Sequence, residues 1–300
     1  MQSIADIRAL LESRGIHPKH RFGQNFLHDQ NQIRKLIEAA KVKPGDLVLE
    51  IGPGTGALTE ALLDAGARII ACEIDRDLAA LLDERFGDRI TLIVGDCLEK
   101  GRVLNREIAN AIRDFPSPRL GESPLETRPS PGGRGSDFML AANLPYNIAS
   151  PLIIALLLDH PNCVGQFVTI QKEVADRLLA QPGTKDYGPL GIITQAFAQV
   201  KRISVVPPSC FWPQPKVTSA MVSIVPSGLG ERDLRASPDL FASSDSRHAF
   251  ARFVTDLFTK RRKQLGTILG RETTLPEGIT PDLRPDALTI HQLIMLWSQT

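Results

Sequence analysis

From Asp46 onward, short runs of β-branched and other apolar residues alternate with helical stretches: LVLEIG then ALTEALLDAG, RIIACEID then LAALLDERFG, RITLIVGD, DFMLAANLPY then SPLIIALLL, and GQFVTIQ then EVADRLLA. Strands that are apolar along their whole length must be covered on both faces, and helices of about ten residues between them supply the crossovers that parallel strands require. This predicts a doubly wound, Rossmann-like α/β sheet, which a last strand in TSAMVSIVP closes after the proline-rich VVPPSCFWPQPK. Beyond about residue 226 only helical patterns follow, SRHAFARFVTDLFTKRRKQLGTILG and then a helix starting at Pro285 or Asp286 in PDALTIHQLIMLW. The expected division is therefore 1–226, the sheet domain, and 227–300, a small all-helical domain.

One spacing departs from the pattern. About 38 residues separate GDCLE from DFML, more than a crossover needs, and their second half, FPSPRLGESPLETRPSPGGRGS, holds five prolines and four glycines. Such a stretch buries too little apolar surface to offset its ordering entropy, so about 101–136 is expected to be a mobile insertion.

Composition narrows the function classes. With 42% hydrophobic and 23% charged residues the chain reads as an ordinary globular protein, and no apolar run reaches the roughly 18 residues of a membrane span. Residues 1–15 read as an amphipathic helix with Ile4, Ile7, Leu10 and Leu11 on one face, not as a signal or transit peptide. Cys72, Cys97, Cys163 and Cys210 are widely spaced in apolar contexts, which suggests neither a disulfide framework nor a zinc site and fits a reducing cytoplasm. No metal is expected. A net charge of +1 gives no global attraction to polyanions, so nucleic-acid contacts must rest on local clusters.

LEIGPGTGALTE places Gly52, Gly54 and Gly56 between the first strand and its helix. Glycines there allow left-handed backbone and close approach to a ligand at the carboxyl edge of the sheet, where open α/β folds bind cofactors. Glu73 lies 21 positions after Gly52, the distance at which an acid takes ribose hydroxyls. Gly52, Gly54 and Ala57 also fit the dinucleotide fingerprint, so the loop alone leaves NAD and other adenosine-bearing cofactors open. Asp96, at the end of the third strand, can accept from an adenine amine or serve as a turn acid.

NLPYN, residues 143–147, ends the fourth strand. An adenine N6 amine is a poor nucleophile because its lone pair is delocalised into the ring. The side-chain oxygen of Asn143 and the carbonyl of Leu144, held outward by Pro145, can accept its hydrogens off the ring plane and draw the nitrogen toward sp³ geometry. Tyr146 then offers a face on which a base stacks, worth about 1–3 kcal/mol.

KHRFGQNFL, LEIGPGTGALT, NLPYNI, QKEVADRL, YGPLG, VPPSCFWPQPKVTSA and FTKRRKQL, in that order, resemble the KsgA-type ribosomal RNA adenine dimethyltransferases across nearly the whole chain outside the insertion. The resemblance implies a Rossmann-like S-adenosylmethionine-dependent methyltransferase. It would dimethylate N6 of two adjacent adenines near the 3′ end of small-subunit (16S) ribosomal RNA, within a pre-ribosomal 30S particle, as a monomer in the cytoplasm. By that resemblance Asn25 and Leu27 close over S-adenosyl-L-methionine with Gly52 and Gly54, Glu73 holds the ribose and Asp96 the adenine edge. Asn143 lies between methyl donor and target, Tyr146 stacks on the base, and Phe211 supplies a second wall. The alternatives are a large-subunit adenine methyltransferase conferring antibiotic resistance, or a ribosome-assembly factor that binds RNA.

Between Arg247 and Arg271 seven Lys or Arg residues face one acid, Asp256, a local excess of six. Together with the methyltransferase motifs, this predicts phosphate contacts from Lys260, Arg261, Arg262 and Lys263 on a helix of the second domain, and from Lys19 and Arg21.

Overall fold

The computed structural model describes residues 2–115, 136–226, 238–270 and 272–299. Helix α1 (Ile4–Glu12) opens the chain on a Ser3–Asp6 capping box and buries Ile7 and Leu11. Helix α2 (Gln30–Ala40) follows, capped by Asp29, whose side chain accepts from the Gln32 amide. The sheet elements then run β1 (Leu47–Ile51), α3 (Ala57–Asp64), β2 (Arg68–Glu73), α4 (Arg76–Phe86) and β3 (Ile90–Val94). After them come α5 (Arg106–Asp114), β4 (Phe138–Asn143), α6 (Ala149–Asp159), β5 (Cys163–Gln171), α7 (Lys172–Leu178), α8 (Pro189–Phe197), β6 (Ala198–Val206) and β7 (Ser219–Pro226).

The seven strands form one sheet in the order β3-β2-β1-β4-β5-β7-β6. β3, β2, β1, β4 and β5 are mutually parallel, while β7 runs antiparallel to β5, with Ser219 opposite Gln171. The doubly wound α/β fold expected from the sequence is present. Every residue of β1 is buried, as its unbroken apolar run requires, except that the run includes one acid, Glu50. Helix α2 packs on β4 and β5, and α4 and α5 on β2 and β3. Strand β6 is not legible as an apolar run because most of AQVKRISVV is at least partly exposed, the pattern of a strand at the sheet's edge.

Residues 101–115 differ from the mobile insertion expected over 101–136. Val103–Leu104 pairs with Leu98–Glu99, and α5 buries Ile108 and Ile112. The predicted mobility of 116–135 lies outside the described residues.

By contact the chain divides into two compact units: Met1–Leu156, His160–Ala175 and Lys201–Val225 in the first, and Leu157–Asp159, Asp176–Val200 and Pro226–Thr300 in the second. The second is therefore not the contiguous 227–300. Its added segment brings Phe197, which packs edge-to-face on Phe241 and Phe250 at centroid distances of 5.2 and 6.1 Å, with Trp297 stacked on Phe241 at 5.1 Å. Aromatic packing, not chain order, defines this core.

Besides α8, the second unit holds α9 (Ser244–Thr259), α10 (Leu265–Leu269) and α11 (Ile290–Trp297). The stretch expected as helical over 246–270 breaks after Thr259, so KRRK occupies turns and not a helix. The last helix starts at Ile290, not at Pro285 or Asp286. A Thr289–Gln292 capping box fixes that start, and Pro285–Ala287 forms a separate 3₁₀ turn.

Candidate active site

In the first unit the loops after β1, β2, β3 and β4 all leave the same carboxyl edge of the sheet and surround one cleft, with residues 21–27 forming a further wall. Asn25, Leu27, Gly52, Gly54, Glu73, Asp96, Asn143, Leu144, Pro145 and Tyr146, scattered over more than a hundred positions, all line it.

The glycine loop is held in left-handed backbone, with φ of +67° at Gly52 and +62° at Gly54. A Cβ on Gly52 would lie 3.3 Å from Pro145 Cδ, and one on Gly54 would lie 2.8 Å from the Phe26 ring. These glycines therefore let the wall of residues 21–27 and the NLPY loop close on the β1 turn. They leave bare backbone facing the cleft, a cradle suited to a nucleoside and its amino-acid tail.

Three acids meet the cleft, each in a different state. Glu73 is 4% exposed, and both its oxygens accept backbone amides, Oε2 from Gly54 at 3.1 Å and Oε1 from Asp75 at 2.9 Å. Burial pushes its carboxyl above the ordinary value, while those amide bonds oppose the rise. Glu73 thus shapes the glycine loop while lining the cleft. Asp96 is exposed, and its Oδ1 accepts from the Leu98 amide at 3.0 Å, so it is a turn acid that also lines the cleft. Glu50 was not singled out by the sequence reading. It is 1% exposed, accepts from the Thr59 hydroxyl at 2.7 Å, and burial raises its pKa to about 8. A lone acid inside the apolar run LVLEIG was the signal that marked it. Ile74, 44% exposed at the cleft wall, is a second such residue and offers an apolar face to a flat ring.

Asn143 ends β4 opposite Thr169 of β5, and the Leu144 amide donates to the Thr169 carbonyl at 3.1 Å. The Asn143 Nδ2 donates to the Asn25 carbonyl at 3.0 Å, which leaves Oδ1 as the end of the amide free for another partner. The Tyr146 hydroxyl shares a 2.9 Å hydrogen bond with Oγ of Ser219, a fully buried serine. The phenol is anchored by its tip, so the ring face is what it can offer a base. Ser219 is a positioning partner that the sequence did not reveal, since only the β5–β7 register brings it there.

The residues expected to touch RNA are less uniform. Arg21 lines the cleft with its guanidinium 4.6 Å from the Phe22 ring centroid. Lys19 is instead engaged by two carboxylates, Nζ lying 2.7 Å from Asp75 Oδ1 and 2.7 Å from Asp77 Oδ2, so its charge is spent within the protein. Phe211 does not form a second wall of the cleft. It is 1% exposed in the core with Leu27, Val206 and Cys210, because pairing with Leu27 turns it inward while neighbouring Trp212 stays partly exposed. In the second unit Lys260, Arg262 and Lys263 are exposed. Arg261 differs, donating Nε to Asp286 at 3.1 Å and its two terminal nitrogens to the Lys185 and Thr184 carbonyls at 3.0 Å each.

The Ribosomal RNA adenine dimethylase family model matches residues 16–284. Ribosomal RNA small subunit methyltransferase A of Rhodococcus opacus is 36% identical over 97% of this chain and 92% of its own length, and that of Acinetobacter baylyi is 36% identical over 95% and 93%. Among solved structures, a dimethyladenosine transferase from Plasmodium falciparum superposes with a TM-score of 0.65 at 25% identity, covering 90% of this chain and 95% of that one. With the glycine cradle, its acids and the NLPY amide gathered at one sheet edge, and with a family match spanning nearly all of the sequence, this chain belongs to the ribosomal RNA adenine dimethylase family.

Proposed function

We propose that the protein transfers methyl groups from S-adenosylmethionine to N6 of adenine in small-subunit ribosomal RNA, two transfers to each of two adjacent adenines near the RNA's 3′ end. The observation that carries this reading is the convergence of the NLPY loop with the glycine cradle, so that donor and target would share one cleft. The finer parts of the proposal, a pre-ribosomal 30S substrate met in the cytoplasm by a monomer, draw on the resemblance of the whole chain to the family. Among the described residues no helix is long and apolar enough to cross a membrane.

The residues fit the cofactor. Backbone at Gly52 and Gly54 permits close approach, Glu73 lines the cleft and would hold the ribose, Asp96 has acceptor capacity beyond its turn bond, and Asn25 and Leu27 line the same cleft. S-adenosylmethionine, when bound, supplies an electrophilic methyl group. The protein's part is to prepare the nucleophile. Asn143 Oδ1 and the Leu144 carbonyl accept the two N6 hydrogens in the first transfer, and one of them accepts the single remaining hydrogen in the second. These contacts pull the lone pair out of conjugation and gain strength as positive charge develops on nitrogen. Tyr146 holds the base flat, and Asn143, being neutral, works through geometry and not as a general base. The nitrogen's proton leaves to water.

Undermethylated small ribosomal subunits incubated with labelled donor, followed by mass spectrometry of digested nucleosides, test the reading. Dimethyladenosine is expected in small-subunit RNA alone; its recovery only from large-subunit RNA would select the resistance-type activity instead. Asn143→Ala is expected to slow transfer about 10²-fold or more, by the scale of a lost transition-state contact. Transfer at the parental rate would remove Asn143 from the mechanism.

A further inference from the structure

An asparagine amide has two ends of similar shape and opposite hydrogen-bonding sense, and only one serves the proposed reaction. If Nδ2 faced the target, donor would meet donor at the N6 hydrogens. The choice is made by the Asn25 carbonyl, which, as an acceptor, holds Nδ2 at 3.0 Å and leaves Oδ1 for the base. Whatever fixes that carbonyl therefore also fixes the sense of the Asn143 amide.

Asn25 sits between two anchors. On its C-terminal side Phe26–Leu27 pairs with Phe211–Trp212. On its N-terminal side is Gln24, whose polar ends are both consumed internally: Nε2 donates to Asp75 Oδ2 at 2.8 Å, and Oε1 accepts from the Lys19 amide at 2.7 Å. The Asp75 carboxylate is 2% exposed, and its other oxygen takes Lys19 Nζ at 2.7 Å and the Asp77 amide at 3.1 Å. Burial disfavours the Asp75 anion, but these donors outweigh burial and hold its carboxyl below the ordinary range. Its own amide donates to Glu73, which in turn accepts from Gly54. Hydrogen bonds, joined by the peptide link from Gln24 to Asn25, thus connect the glycine cradle, Glu73, Asp75, Gln24, the Asn25 carbonyl and the Asn143 amide.

We propose that Gln24, anchored on Asp75, is a positioning residue for methyl transfer: it holds the Asn25 carbonyl that dictates which end of the Asn143 amide meets the target base. The inference rests on the proposed adenine methyltransferase reading. Asp75 is the fixed post, buried and charge-balanced by Lys19, and this accounts for Lys19 being withheld from RNA. Gln24 touches neither reacting atom and acts only through Asn143.

The test is a double-mutant cycle on the full-length protein, with a spectroscopic readout that needs neither cofactor nor RNA. Gln24→Ala is expected to lower kcat about tenfold or more, with a smaller change in KM for undermethylated subunits, as expected for lost orientation at the reacting group. In an Asn143→Ala background, followed by single-turnover transfer of labelled methyl, the same change is expected to cost less than about twofold, because the residue it acts through is gone. In the unliganded protein with labelled asparagine, the Asn143 side-chain amide is expected to show slowed hydrogen exchange that Gln24→Ala abolishes. Gln24→Met, which keeps the side-chain volume, replaces the alanine variant if that variant folds poorly. A parental kcat in Q24A, an equal loss with and without Asn143, or unchanged amide exchange would each overturn the inference. A parental protein inert on small subunits would instead overturn the functional reading, and the exchange measurement would still decide whether Gln24 orients Asn143.

Discussion

Glu50 shows how one side chain can set a pH dependence for the whole fold. Buried beside Glu73, with only the Thr59 hydroxyl to support a charge, it keeps its proton in the folded state up to about pH 8. In the unfolded chain it ionises near 4.3. Between those values the unfolded state binds fewer protons than the folded one, so this group's contribution to stability is present at acid pH and is lost as pH rises toward 8. Glu50→Gln, which keeps an acceptor for Thr59, removes that dependence. Urea denaturation of both proteins from pH 4.5 to 8 is expected to show the variant gaining on the parent as pH rises, by an amount on the order of a few kcal/mol. A constant difference across the range would mean that Glu50 is charged in the fold. At this scale the chemistry of Asn143, Leu144 and Tyr146 could be read from residue type and order. The partners that orient them could not, since Asn25 lies 118 positions from Asn143 and Ser219 lies 73 from Tyr146.

Among the elements, the turn after α9 carries a lesson about charge runs. KRRK reads as four equivalent cations, yet the end of the helix at Thr259 sends Arg261 into a fork of three hydrogen bonds while its neighbours stay in solvent. Two variants are expected to separate. Arg261→Ala loses bonds to a partly buried carboxylate and two carbonyls, and is expected to lower unfolding stability by about 1–3 kcal/mol in denaturant titrations. Lys260, Arg262 and Lys263 changed together to Ala are expected to leave stability nearly unchanged. That triple variant should weaken binding of small subunits and flatten the log–log salt dependence by about two units of slope, as lost phosphate contacts do. An unaltered salt slope would remove these residues from the RNA surface. The apolar strands β1, β2, β4 and β5 were legible because full burial imposes an unbroken pattern. Strand β6 was not, because an edge strand with one solvated face tolerates Lys201 and Arg202.

For the molecule as a whole, the long segment before β4 is a test of modularity. Its described ends lie together, the Ser136 hydroxyl donating to the Phe115 carbonyl at 2.8 Å, and the Ser136 carbonyl accepts from Asn162 at 2.8 Å. A short linker can therefore join Phe115 to Ser136 without disturbing β4. Replacing 116–135 by such a linker is expected to leave methyl transfer within about twofold of the parent, since loop-closure cost changes slowly with length. A large loss would give the segment a part in substrate handling. What the sequence determined by itself was local in origin: unbroken apolar runs that demand a covered parallel sheet, glycines where backbone turns left-handed, and a loop whose acceptors suit an exocyclic amine. Tertiary structure decided which of several similar residues faces what: Phe211 inward and not toward a base, Lys19 to carboxylates and not to phosphate, residues 176–200 to the second unit, and the Asn143 amide to the Asn25 carbonyl. The physical reason is that hydrophobic pattern and backbone propensity act between near neighbours in the chain. Side-chain orientation and hydrogen-bond pairing are settled instead between residues that only the folded sheet brings within about 3 Å of each other.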